Sequence, residues 1–266
     1  RIAKKLNIPV YYYISPQVWA WRKGRVRFLR KYVDEMLCIL PFEESFFKEH
    51  GVRAHFVGHP LQDELKDYKT QEIEDKTIVM LPGSRQKEVK NLLPCFARAA
   101  TILAAYDPQI RFRLIKASQI AESSIHESWP DHVPLDIYTS TKRYTMISSS
   151  QFAICASGTI TLEVSLLGVP ALVSYKLSFL SYLLGRLLIK VPYISLTNLI
   201  LNKQVLPEFI QRQVTGENLA NQIIFWLQNP VQQTDIHQDL SRLRQKLGPP
   251  GASKRAGDII LDRLNM

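Results

Sequence analysis

Cysteine is scarce, with three residues in 266, and Cys38, Cys95 and Cys155 all lie in apolar runs without a CxxC pair or Cys/His ligand spacing. That excludes a disulfide framework and argues against zinc, and it points to core thiols in a reducing compartment. Acid is missing from two long stretches. None occurs among Trp19, Trp21, Arg22, Lys23, Arg25, Arg27, Arg30 and Lys31, and none from Val164 to Pro207, where four cations stand. A membrane span is missing as well, because Arg186 and Lys190 interrupt the longest apolar run before it reaches the ~20 residues a bilayer requires. The chain opens on Arg1, without Met or a signal-like segment and partway through a helical pattern, so an upstream piece is expected. What is plentiful is positive charge: 34 Lys and Arg against 24 Asp and Glu, a net +10. This favours a polyanion, an anionic membrane surface or a phosphorylated substrate over a neutral ligand.

The stretch Phe152–Pro170, FAICASGTITLEVSLLGVP, carries the most chemistry. It reads as a buried strand, a tight Ser157-Gly158-Thr159 turn and a helix with Ile160, Val164 and Leu167 on one face. Glycine at such a corner lets a ligand approach the backbone, and the first helical N–H groups lack internal partners, so an anion fits there. Thr159 and Glu163 share a helical face beside it, and the carboxylate can accept hydrogen bonds from sugar hydroxyls. Thr77–Leu81 followed by Pro82-Gly83-Ser84-Arg85 repeats the strand-to-glycine-turn pattern, now with an arginine. Arg85 suits a diphosphate through paired donors, or it pairs with Glu88. Ordinary packing corners remain the alternative at both bends.

Strand and helix signals alternate elsewhere: Ile8–Ile14, Glu35–Leu40, Ala54–Val57, Arg111–Lys116, Leu135–Tyr138 and Ala171–Tyr175 as strands, with helices between them. The repeat implies an α/β fold with mostly parallel sheets. Asp63–Lys76, charged and poor in apolar residues, reads as an interdomain linker, Pro94 as the start of a new helix, and everything beyond Gln204 as helical, including Pro207–Gln213. His59, after a short strand at Gly58-His59-Pro60, sits where open α/β sheets gather ligands. Val26, Leu29 and Val33 make the basic run an amphipathic helix, suited to a lipid headgroup boundary or to simple solvation. Phe179, Leu183 and Leu187 form an apolar stripe fit for core packing, a homodimer interface or a membrane surface. Asn198 is a lone amide in apolar YISLTNLIL and needs a partner, a ligand among the candidates.

SPQVWAW (Ser15–Trp21), LPFE (Leu40–Glu43), GHPLQDE (Gly58–Glu64), LPGSRQKEV (Leu81–Val89), ASGTITLE (Ala156–Glu163) and SLTNLI (Ser195–Ile200) occur in an order and spacing that resembles the lipid-A-disaccharide synthase family. The likeness runs from Lys4 to about Gly251. It implies the GT-B fold, two Rossmann-like domains, with residues 1–60 as the back of the N-terminal, acceptor-side domain, 61–252 as the donor-binding domain, and 253–266 as a terminal helix returning to the first. It implies an inverting transfer of 2,3-diacylglucosamine from UDP-2,3-diacylglucosamine to 2,3-diacylglucosamine 1-phosphate. No cofactor or metal is implied, nor a nucleic-acid partner. The setting implied is the cytoplasmic face of the Gram-negative inner membrane.

On the resemblance, Gly83, Ser84, Arg85, Ser157, Gly158, Thr159 and Glu163 hold the UDP part of the donor. Arg85 stabilises the leaving diphosphate, and Tyr175 and Asn198 line the same site. Ser15, Trp19, Trp21 and Arg22 face the cleft or the lipid, and His59 the hinge. The catalytic base is expected upstream of this chain, which alone would be inactive. Gln86-Lys87 and Thr197 depart from the family's usual residues without removing a proposed contact. The alternatives are another UDP-sugar GT-B enzyme, such as a UDP-N-acetylglucosamine 2-epimerase or the peptidoglycan glucosaminyltransferase, and a non-catalytic basic membrane- or nucleic-acid-binding module.

Overall fold

Short β-branched and aliphatic runs, bounded by glycine and proline, pair into two parallel sheets. The computed structural model describes residues 1–21, 23–68, 71–177 and 191–264. Strands β1 (Tyr11–Tyr13), β2 (Glu35–Cys38) and β3 (Ala54–Phe56) form one sheet in that order. Strands β4 (Glu74–Leu81), β5 (Arg111–Lys116), β6 (Leu135–Thr139), β7 (Ser150–Ala156), β8 (Ala171–Tyr175) and β9 (Glu208–Ile210) form the other, in the order β6-β5-β4-β7-β8-β9. Ile78, Val79, Met80 and Leu81 are buried in succession, so both faces of β4 are covered, as parallel sheets require. The α/β architecture expected from the alternation is therefore present.

The larger sheet has the doubly wound order. From β4 the chain works outward through β5 to β6, then returns to lay β7 on the other side of β4 and continues through β8 to β9. The order reverses between β4 and β7, and outside the carboxyl ends of two such strands a crevice opens. The register sets Leu81 beside Cys155, which makes the two glycine bends neighbours in space.

The chain divides into two units, one of residues 71–177 with 192–243, the other containing 1–68 with 244–264. In the smaller unit β2 alternates its side chains: Met36 and Cys38 join Val18, Val26, Leu29 and Phe47, while Leu37 meets Val57 and Ala256. Ala256 belongs to the terminal helix Ala252–Leu264, which is tied down where Arg255 donates to the carbonyls of Val57, Pro249 and Pro250 at 2.9, 2.7 and 2.9 Å. The helix Pro60–Leu65 packs against it. The smaller unit accordingly runs on to Tyr68, beyond Pro60.

Several local expectations are corrected. Asp63–Lys76 is not all linker: its start lies in the helix Pro60–Leu65 and its end in β4, where Glu74 pairs with Arg113 at 2.6 Å. Pro94 starts nothing but lies inside one helix, Gln86–Tyr106. Leu92, Leu93, Phe96 and Ala97 are buried on both sides of the proline, and that packing outweighs the lost backbone hydrogen bond. Pro207–Gln213 is not helical; it holds β9 and a 3-10 turn, and β9 adds to the sheet edge beside β8. The apolar stripe at 179–188 lies outside the described residues, and among the described residues no helix is long and apolar enough to cross a membrane.

Candidate functional site

Two strand-to-helix bends build the site. After β4, Pro82-Gly83-Ser84-Arg85 turns into the helix Gln86–Tyr106, and after β7, Ser157-Gly158 turns into the helix Thr159–Leu166. Gly83 holds φ +113°, and a Cβ there would lie 2.7 Å from Glu88 Oε2. Gly158 holds φ +148° with open space beside it, so its backbone is accessible from the cleft. Gln119 Nε2 donates to the Ser84 carbonyl at 2.6 Å and braces the first bend.

Together they border a cleft of about 330 Å³. Gly83, Ser84, Arg85, Ser157, Gly158, Thr159 and Glu163 all line it, so the structure brings these seven sequence-selected residues together. Two helices point their N-termini at this space, and their first N–H groups have no partners within the helix. Arg85, Lys116 and Arg143 supply three cations to the lining against the carboxylates of Glu88 and Glu163. The cleft is therefore set up for an anion.

The charged groups are already in register. Arg85 Nη1 lies 2.5 Å from Glu88 Oε1, but the arginine side chain is 80% exposed, so water screens the pair and a ligand anion can compete for the guanidinium. Glu163, 12% exposed, pairs through Oε2 with Arg143 Nε at 2.9 Å. Tyr175 ends β8 half-buried and does not line the cleft. Burial and then the Glu88 charge push its phenol above the ordinary value, while Arg85 acts the other way.

Asn198 is placed differently from expectation. It is fully buried, its Nδ2 donates to the Leu206 carbonyl and to Glu208 Oε1, both at 2.8 Å, and its Oδ1 accepts from the amides of Val205 and Leu206, both at 2.9 Å. All four hydrogen-bonding positions of the amide are filled by the chain, so the partner that Asn198 needs is the turn leading into β9.

The remaining candidates belong to the smaller unit. Trp19 is buried, donates through Nε1 to Glu43 Oε1 at 2.9 Å and meets Phe42 edge-on at 4.9 Å, which makes it an anchor of the core and not a cleft-facing ring. Glu43 also accepts from the Leu40 amide, which couples the LPFE motif to SPQVWAW. Burial raises the Glu43 carboxyl above its ordinary value, and the hydrogen bonds from Trp19 and the Leu40 amide oppose this. Ser15 is buried with its hydroxyl outside any hydrogen bond among the described residues. His59 caps the helix Pro60–Leu65 by accepting from the Leu61 amide at 3.2 Å, and burial lowers its imidazole to about 4. The side chain of Trp21 and all of Arg22 lie outside the described residues.

Lys116, Ser140 and Arg143 line the cleft without having been selected from the sequence. Their one available signal was position: each lies at the carboxyl end of a strand on the β5–β6 side of the reversal, or just past it. Among the described residues no group of three or more His, Cys, Asp or Glu could hold a metal ion.

The profile of a family described as lipid-A-disaccharide synthetase matches residues 2–261. The lipid-A-disaccharide synthase of Syntrophus aciditrophicus is 44% identical over 274 residues, covering 98% of this chain and 71% of that protein. That of Myxococcus xanthus is 36% identical over 277 residues, covering 99% and 72%. Among solved structures, a UDP-GlcNAc 2-epimerase from Neisseria meningitidis bound to UDP-GlcNAc superposes with a TM-score of 0.65 at 12% identity, over 98% of this chain and 71% of that one. The glycotransferase of kitacinnamycin gives 0.61 at 14% identity, over 99% and 72%. Identities this low establish the shared fold alone.

Proposed function

The chain belongs to the lipid-A-disaccharide synthase family, and from that premise we propose that its cleft binds the UDP portion of UDP-2,3-diacylglucosamine for transfer of the sugar to 2,3-diacylglucosamine 1-phosphate. The observation that carries this reading is the convergence of two glycine bends at the β4–β7 reversal, on one cation-rich cleft.

In this reading the diphosphate lies across the two helix N-termini, with Gly83, Ser84, Ser157, Gly158 and Thr159 supplying close backbone and hydroxyl contacts. Glu163 accepts hydrogen bonds from the ribose. The acceptor hydroxyl oxygen attacks the anomeric carbon from the side opposite the diphosphate, its proton passes to a general base, the new glycosidic bond forms with inversion, and the bond from that carbon to the diphosphate oxygen breaks. Charge gathers on the departing UDP, where Arg85 turns from Glu88 to meet it. No residue of this chain is assigned as the base, and no metal is assigned to the step.

Both proposed substrates carry acyl chains and phosphate, so the reading includes an anionic membrane surface as partner, at the cytoplasmic face of the inner membrane. Residues 1–33 support this: they contain nine Lys and Arg and no Asp or Glu. A thermal-shift titration tests the donor site. UDP at a hundredfold excess over its Kd should stabilise the chain by about 2.7 kcal/mol and raise the midpoint by a few degrees, with little effect of ADP or CDP. An equal response to all three nucleotides would sink the donor-site reading.

A further inference from the structure

We propose that Arg143 is a positioning residue of the donor site: it orients the Glu163 carboxylate to receive the ribose hydroxyls of a uridine nucleotide, and does not grip the diphosphate. The inference rests on the donor-site reading above and adds a residue and a division of labour to it.

Arg143 opens the helix Arg143–Ser148, which follows β6, while Glu163 lies in the helix Thr159–Leu166, which follows β7. The two residues reach the cleft from opposite sides of the chain reversal and meet at 2.9 Å, Nε to Oε2. The guanidinium is itself held. Its Nη2 donates to the Tyr144 hydroxyl at 2.7 Å, and its central carbon stands 4.5 Å over the Tyr144 ring. With its plane held against Tyr144 and one end bonded there, the guanidinium's charge is fixed beside Glu163; Nε and Oε2 make no hydrogen bond with each other, so the 2.9 Å contact is one of charge. A lysine has no plane for Tyr144 to hold, only a mobile point charge.

The carboxylate has work for this arrangement to do. A vicinal diol offers two O–H donors, and a carboxylate, with two oxygens and about four acceptor positions, accepts from a guanidinium and a diol together. Glu163 is nearly enclosed, so a cation held beside it offsets the cost of burying its charge. Arg143 thus supplies the fixed cation beside which the Glu163 carboxylate takes its rotamer. The diphosphate, by contrast, is expected at the bends, where Arg85 stands with its side chain largely in solvent.

Calorimetric titration of the full chain with UDP and with 2′-deoxy-UDP tests the assignment. The wild-type chain should prefer UDP by about tenfold, the size of one hydrogen bond to a charged group. Arg143→Gln should bind UDP about tenfold more weakly while its affinity for 2′-deoxy-UDP changes little. Glu163→Gln should lose the same preference, and the double variant should lose no more than either single one, because the two residues act as one unit. Arg143→Lys, which keeps the charge without the plane that Tyr144 holds, should also lose the preference and stands in if Arg143→Gln fails to fold. Retention of the preference in a folded Arg143 variant would overturn the role. So would equal weakening of both nucleotides, which would mean direct contact with the diphosphate. If the wild-type chain bound neither nucleotide, the donor-site reading would fall first and this role with it.

Discussion

His59 shows how one buried side chain ties the fold to pH. Its Nδ1 accepts the Leu61 amide, which only an unprotonated nitrogen can do, and burial lowers the imidazole from the usual 6.5 to about 4. The unfolded chain takes up a proton near pH 6.5, whereas the folded chain waits until about pH 4. Between these values the unfolded state binds more protons, so stability is complete above pH 6.5 and drains away as the pH falls toward 4. The full loss corresponds to about 3 kcal/mol. Asparagine caps helices well and does not titrate in this range, so His59→Asn should keep the cap and flatten this part of the profile. Urea unfolding at a series of pH values checks it, and an unchanged slope in the variant would take the pH dependence away from His59.

The helix Val26–Tyr32 sorts its residues by face: Val26 and Leu29 are buried, while Arg27, Arg30 and Lys31 point outward and Phe28, 47% exposed, lies 4.5 Å from Tyr32. A basic face bearing an exposed ring suits a headgroup layer. Each cation near an anionic surface contributes about 1 kcal/mol, so replacing Arg27, Arg30 and Lys31 by Gln should weaken binding to phosphatidylglycerol vesicles by roughly 3 kcal/mol at low salt, with less effect at high salt. Vesicle sedimentation would show it, and unchanged partitioning of a folded triple variant would return this helix to plain solvation. Element-level structure was legible in the sequence where two local signals agreed. At both bends a buried run meets a glycine and then a helical period, and the strand pairing brought them together. Where a single signal stood alone it misled. Pro94 breaks helices in isolation, but here apolar residues on both sides bury along one axis. Three residues of β9 are too few to display a period, and what holds them in place, the net of Asn198 and Glu208, is tertiary. The Arg143–Glu163 pair joins residues from two helices that follow different strands, a contact no local pattern records.

At the scale of the whole molecule, the strand order decides where the proposed donor site lies. Every residue lining the cleft comes from the larger unit. This gives the proposed donor site a spatial signature. Hydrogen exchange in the presence of saturating UDP should slow at the two bends and the first turns after them, residues 83–89 and 156–163, because ligand oxygens would engage amides that the helices leave unpaired. The strand Ala54–Phe56 and the helix Pro60–Leu65, both in the smaller unit, should exchange as before. Protection confined to the smaller unit would separate nucleotide binding from the β4–β7 reversal. Protection at both bends, lost at both when Arg85→Ala weakens binding, would mean that one bound nucleotide spans them, because the amides of each bend are then covered by the same ligand.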